Sequence, residues 1–136
     1  MIFFVKIFVD TNILVAALAE QSDNSRKAKS ILESENEIYT SLLNIMELRT
    51  VLAKKKGFEL DEVSEIEASV KDSVEIIIPD SSDFIGSNKS HQESLLYPMD
   101  CLILEMAESQ DLDLVSFDSE LVHQGAVTPE ELLDAL

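Results

Sequence analysis

Bases are scarce in this chain. Ten Lys and Arg stand against 27 Asp and Glu, a net charge of −17 over 136 residues. So few cations argue against broad, sequence-blind binding to nucleic acid, which relies on Lys and Arg to neutralise phosphates, and against docking to an anionic membrane face. Cysteine is almost absent as well. The lone Cys101 forms no internal disulfide and fits a reducing cytoplasm, and no Cys/His cluster suggests zinc. Gly and Pro, three of each, are too few for a disordered chain, and 46% of the residues are apolar. No apolar run reaches the length of a membrane span. Residues 1–9 are too short for a signal peptide and are interrupted by Lys6. The expectation is a cytoplasmic, globular chain forming one domain over residues 1–136, long enough for a single good core.

The acid excess has three candidate explanations: acids ringing a metal site, a surface adapted to a salty cytoplasm, or a basic partner. A metal site accounts for only a few acids, so one of the other two supplies most of the excess. If the surface is salt-adapted, self-repulsion at low ionic strength should be relieved by screening, which acts over about 8 Å at physiological salt. The unfolding midpoint should then be higher in molar potassium chloride than in dilute buffer. A midpoint indifferent to salt would remove that explanation.

What is present is a regular alternation. Residues 2–9 are nearly continuously apolar, as in a central parallel strand covered on both faces, with Lys6 snorkelling to an edge. The run stops at Asp10-Thr11-Asn12, and a buried helix over 13–19 follows, beginning at Thr11 or Asn12. A polar turn leads to a helix over about 26–33, capped from Asp23, Asn24 or Ser25. A short strand at 38–40 precedes a helix over 42–56, capped by Ser41 and ended by Gly57. A helix over 60–72 and a strand over 74–78 come next. Residues 80–96 show no clear period, and a short helix near 82–87 followed by a loop is expected. Pro98 opens a helix to about 109. A strand over 112–117, a small edge strand at 126–127 and a last short helix after Thr128-Pro129 complete the chain. Such alternation favours a parallel sheet with helices on both sides.

Four acids resist a purely structural explanation. Asp10 ends the first strand, where ligands sit in open α/β sheets. Glu47 lies within an apolar helical stretch. Asp100 shares a helix face with Ile103, Leu104 and Ala107. Asp118 directly follows the last main strand. Each has a structural alternative. Asp10 or Thr11 caps a helix, Glu47 pairs with Arg49 or Thr50, Asp100 favours a helix dipole, and Asp118 caps a short turn. Carboxylates aimed at one crevice repel, and burying them is costly without a counter-charge. A hard cation such as Mg²⁺ or Mn²⁺ resolves that conflict. His91 and His123 lie in polar surroundings and are expected to be solvated, and Cys101 to pack within its helix.

Four stretches now bear comparison with a known family. They are Val9-Asp10-Thr11-Asn12, Asn44-Ile45-Met46-Glu47-Leu48, Pro98-Met99-Asp100-Cys101-Leu102-Ile103-Leu104-Glu105-Met106-Ala107 and Leu114-Val115-Ser116-Phe117-Asp118. In order and spacing they resemble the four signatures of PIN domains, and are particularly similar to small VapC-type toxins of toxin–antitoxin pairs. The resemblance covers essentially the whole chain. It implies an α/β fold, a three-layer α/β/α sandwich with a mainly parallel central sheet. It also implies an endoribonuclease dependent on Mg²⁺ or Mn²⁺, with RNA as substrate, a VapB-type antitoxin as partner and a homodimeric state. Asp10, Glu47, Asp100 and Asp118 match the acidic quartet, with Asp10, Asp100 and Glu47 holding metal and Asp118 holding or positioning water or a second ion. Asn12 matches the amide supporting the first acid, Thr11 enters through the turn, and Ser116 stands where Thr is common.

Candidate RNA contacts are Arg49, Lys54, Lys55 and Lys56, with Arg26, Lys27 and Lys29 second. The Lys run has the alternative role of complementing a helix C-terminus. Leu43, Met46, Ile66 and Val70 exceed what one core requires and suggest a dimer surface. Two other readings stay open. One is a binding or scaffold protein of the same fold, favoured by the scarcity of bases. The other is a Mg²⁺-dependent phosphatase with Asp10 as nucleophile, which lacks the usual second acid because Asn12 occupies that position.

Overall fold

The computed structural model describes residues 5–93 and 95–136. The part of the expected first strand before Val5 lies outside the described residues. Four strands form one parallel sheet in the order β3-β2-β1-β4: β1 (Lys6–Val9), β2 (Glu37–Ser41), β3 (Glu75–Ile77) and β4 (Asp113–Val115). The register aligns Ile7 with Ile38 on one side and with Asp113 on the other. A single bridge from Val115 to Val127 stands where a small edge strand is expected.

The helices are α1 (Thr11–Ala19), α2 (Asp23–Leu32), α3 (Leu42–Thr50), α4 (Leu60–Ser73), α5 (Ser81–Glu93), α6 (Pro98–Ser109), α7 (Ser119–His123) and α8 (Pro129–Ala135). A π-helical turn, Val51–Lys55, prolongs α3, and the chain leaves it at Gly57, whose φ of 71° suits a residue without Cβ. Alternation along β1 divides the core. Ile7 and Val9 point into a cluster with Ile13, Leu14, Ile31, Leu48, Leu52 and Val63, contributed by α1 to α4. Phe8 points the other way, onto Leu102, Ile103, Met106, Leu114 and Leu121. The result is a three-layer α/β/α sandwich.

Three expectations change in the structure. Helix α2 begins earlier than residue 26, because Ser22 rather than Asp23, Asn24 or Ser25 is the cap. Its hydroxyl accepts from the Ser25 N–H, while the Ser25 hydroxyl accepts from the Ser22 N–H.

Residues 81–93 form one 13-residue helix rather than a short helix and a loop. Its start is fixed by a reciprocal pair: Asp80 accepts from the Asp83 N–H at 3.0 Å and Asp83 accepts from the Asp80 N–H at 2.9 Å. Asp83 is 3% exposed and also accepts from the Ser109 hydroxyl at 2.8 Å, which ties α5 to the end of α6. Gly86 leaves room for the Glu105 carboxylate of α6, since a Cβ there would stand 2.1 Å from Glu105 Oε1. Ser109→Ala should therefore cost about 1–3 kcal/mol by stripping a donor from a buried carboxylate. Denaturant unfolding checks this, and a loss below about 0.5 kcal/mol would show that the tie is dispensable.

The apolar surplus on α3 and α4 is mostly absorbed by the core. Val70 is buried, Ile66 packs on the first cluster and Leu43 on the second, and only Met46 of that group is largely exposed, at 59%.

Candidate active site

All four strands run the same way, so their carboxyl ends share one edge, and the segments leaving that edge carry the acids. The Asp10 N–H donates to the Val115 carbonyl at 3.1 Å, and the Thr40 hydroxyl donates to the Val9 carbonyl at 2.9 Å. These bonds pin the end of β1 between its neighbours. Asp10 is 7% exposed and caps α1. Its Oδ1 accepts from the Thr11 N–H at 2.8 Å and from Asn44 Nδ2 at 3.2 Å, and its Oδ2 accepts from the Ser116 hydroxyl at 2.8 Å. The Ser116 oxygen in turn accepts from Asn12 Nδ2 and from the Asp118 N–H, both at 3.0 Å. Asn12 Oδ1 accepts from the Phe117 N–H at 3.2 Å. Asp10, Thr11, Asn12, Ser116 and the backbone of Asp118 are thus one connected network, and the capping role of Asp10 coexists with it.

The fields of the other acids reach the same place. Asp100 stands in the first turn of α6, partly buried, and accepts no hydrogen bond among the described residues. Its pKa is pushed up to about 6, first by burial and then by the fields of Asp10, Asp118, Glu47 and Glu120. The Asp10 carboxyl is also raised, chiefly by burial, with Glu47 and Asp118 adding to the effect. The bonds from Ser116 and Thr11 oppose it. Among the described residues, neither carboxylate forms an ion pair. Glu47 is exposed on α3. It pairs with neither suggested neighbour, because Arg49 bridges to Glu67 at 3.0 Å and the Thr50 hydroxyl donates to the Met46 carbonyl. Asp118 caps α7, accepting from the Glu120 N–H at 2.9 Å.

The four acids therefore share one electrostatic environment. Two residues join them that the sequence alone did not single out: Glu120, whose signal was its place in the turn after Asp118, and Asn44, a polar residue one helical turn before Glu47 on an apolar stretch. Just beside the acids, Leu95, Leu96, Ser119, Glu120, His123 and Gln124 line an open cleft.

Of the candidate RNA contacts, Arg49, two residues after Glu47, pairs with Glu67, and the lysine run lies further along α3. Helix α3 leaves the acidic edge at Ser41, and with its π turn spans 14 residues, about 20 Å. Lys54, Lys55 and Lys56 are at its far end, where Lys56 pairs at 3.0 Å with Glu20 beyond the last turn of α1. Lys27 pairs with Glu130 and Arg26 with Asp23, while Lys29 lines a groove between α1, α2 and α4. His91 and His123 are exposed and Cys101 is buried.

The donor set suits a hard cation. It consists of carboxylate oxygens, with uncompensated negative charge and no sulfur or imidazole. Among the described residues, no three such side chains are gathered tightly enough to enclose an ion by themselves. An ion bound among them would keep part of its water shell.

The PIN domain family model matches residues 7–126. The chain belongs to the PIN domain family. Among solved structures, this PIN domain is similar to a chain of a toxin–antitoxin complex from Klebsiella pneumoniae, with 27% identity, a TM-score of 0.74 and coverage of 90% of this chain and 97% of that one. It is similar in fold to VapC20 of Mycobacterium tuberculosis, a sarcin-ricin-loop-cleaving toxin, with 18% identity, a TM-score of 0.74 and coverage of 89% and 96%. A Pyrobaculum aerophilum protein matches with 25% identity, a TM-score of 0.73 and coverage of 96% and 88%. No curated protein matches the chain.

Proposed function

We propose that this PIN domain is a divalent-metal-dependent endoribonuclease and the toxin of a type II toxin–antitoxin pair. The observation that carries the reading is the mutual influence of Asp10, Glu47, Asp100 and Asp118 around the carboxyl ends of one parallel sheet, with Asp100 pushed up to about 6 by burial and then by its acidic neighbours. A fold that gathers like charges without a base keeps them at a cost to its own stability. Asp10, Asp100 and Glu47 would hold Mg²⁺ or Mn²⁺, and Asp118 would hold or position further water or a second ion. Such an ion, when bound, supplies water activation and stabilisation of charge on a phosphoryl group. Ser116 and Asn12 keep the Asp10 carboxylate in place, and Asp100, partly buried and accepting no hydrogen bond among the described residues, gains from a counter-charge.

An antitoxin with a basic residue near the acids suits the net charge of −17, and the Klebsiella relative's place in a toxin–antitoxin complex supports such a partner. A homodimer and a cytoplasmic site of action belong to the same reading. The distance of Lys54, Lys55 and Lys56 from the acids favours one alternative, a binding protein of PIN fold. Incubating partner-free protein with a broad RNA pool and Mn²⁺ separates the two, because a scaffold leaves the pool uncut.

A further inference from the structure

Asn44 is 1% exposed and is the buried side chain by which α3 touches Asp10. Its amide orientation is fixed by its neighbours. The Ser41 N–H, which can only donate, points at Asn44 Oδ1 from 3.3 Å, and the Ser41 hydroxyl meets the same oxygen. Nδ2 therefore faces Asp10 Oδ1 at 3.2 Å and Thr11 Oγ1 at 3.0 Å.

A carboxylate offers about four lone-pair positions. On Oδ1 of Asp10, the Thr11 N–H and Asn44 Nδ2 occupy both. On Oδ2, the Ser116 hydroxyl occupies one and leaves one. Only Oδ2 is then open to a cation. Ca²⁺ accepts carboxylates through one oxygen or two in a flexible shell, whereas Mg²⁺ demands near-ideal octahedral geometry and keeps several waters, and Mn²⁺ takes octahedral oxygen ligands.

We propose that Asn44 is a positioning residue that commits Asp10 to one-oxygen ligation through Oδ2 and so biases the site toward Mg²⁺ or Mn²⁺ over Ca²⁺. The inference rests on the metal reading given above. Asn44 also closes the capping box of α3 with Ser41, so its two roles must be separated. The chain contains the control: at the start of α2, Ser22 and Ser25 form the same box with a serine in the equivalent place. Asn44→Ser should keep the cap while falling short of Asp10.

The full-length, metal-free protein is titrated with MnCl₂ and, separately, CaCl₂ by calorimetry, and a thermal melt confirms the fold. Wild type should prefer Mn²⁺. In Asn44→Ser, Mn²⁺ affinity should fall about tenfold, within the range for residues that orient metal ligands, and Ca²⁺ affinity should fall less, so the Mn²⁺-to-Ca²⁺ preference shrinks. Asn44→Thr, which keeps a capping hydroxyl and fills more of the volume, takes the same measurement if Asn44→Ser does not fold. A folded variant with wild-type preference overturns the role of Asn44 and leaves the metal reading standing. Wild type that binds neither ion overturns the metal reading and this inference together.

Discussion

Asp100→Asn should stabilise the metal-free protein at pH 8 while reducing RNA cleavage by more than about a hundredfold, beyond the range for residues that only orient metal ligands. The stability effect follows from the raised carboxyl. A group whose pKa is higher in the fold than in the unfolded chain contributes stability below its unfolded value, and that contribution is lost as pH rises through its folded value. For Asp100 the window runs from the ordinary carboxylate value of 3.8 to about 6. Above it, wild type carries a charge the fold disfavours and the Asn variant does not. The gain in melting temperature should therefore be full at pH 8, shrink through pH 6 and vanish near pH 4. A variant no more stable than wild type at pH 8 would mean that Asp100 already has a compensating partner. Asp10→Asn should abolish cleavage equally but not stabilise. Its carboxylate accepts three hydrogen bonds, each contributing about 1.5–3 kcal/mol when the acceptor is charged. An amide oxygen in that place keeps the bonds from Thr11 and Asn44 without the help of charge and loses the one from Ser116, which offsets the relief of repulsion.

The second large effect is stabilisation by the ion itself. Carboxylates that repel one another in the free protein become ligands, so binding favours the folded state by mass action. At a hundredfold excess over Kd the gain is about 2.7 kcal/mol. For a domain of this size that corresponds to a rise in Tm of roughly 10 °C. Mn²⁺ should produce the shift in wild type. Asp100→Asn, already relieved of one charge, should show a much smaller one. Equal shifts in wild type and Asp100→Asn would place the bound ion away from these acids.

The features legible from sequence are those decided locally. An apolar run halted at Asp10-Thr11-Asn12 identifies a strand end and a helix cap, and the helix spacing around Asp100 points it inward. Helix α5 was illegible because its cap, Asp80 with Asp83, lies within an already polar stretch, and because its packing face is defined by contacts across to α6, Asp83 with Ser109 and Gly86 beside Glu105. The remoteness of Lys54, Lys55 and Lys56 follows from topology. A helix that leaves the carboxyl edge of a parallel strand runs toward the opposite edge, so the far end of α3 is distant from Asp10, which Asn44 touches near its start. Asn44 was hidden for a different reason. Its importance lies in two contacts to residues more than thirty positions away, and no local pattern announces them.

The central claim is that the acidic crevice cuts RNA with the help of a divalent ion. The direct measurement incubates partner-free wild type and Asp10→Asn with a broad pool of single-stranded and loop RNA, with Mn²⁺ and with chelator, while calorimetry follows Mn²⁺ binding. The account predicts discrete cleavage by wild type only with Mn²⁺, and neither cleavage nor comparable binding by Asp10→Asn. An uncut pool with wild type, together with Mn²⁺ binding by Asp10→Asn as tight as that of wild type, would contradict it.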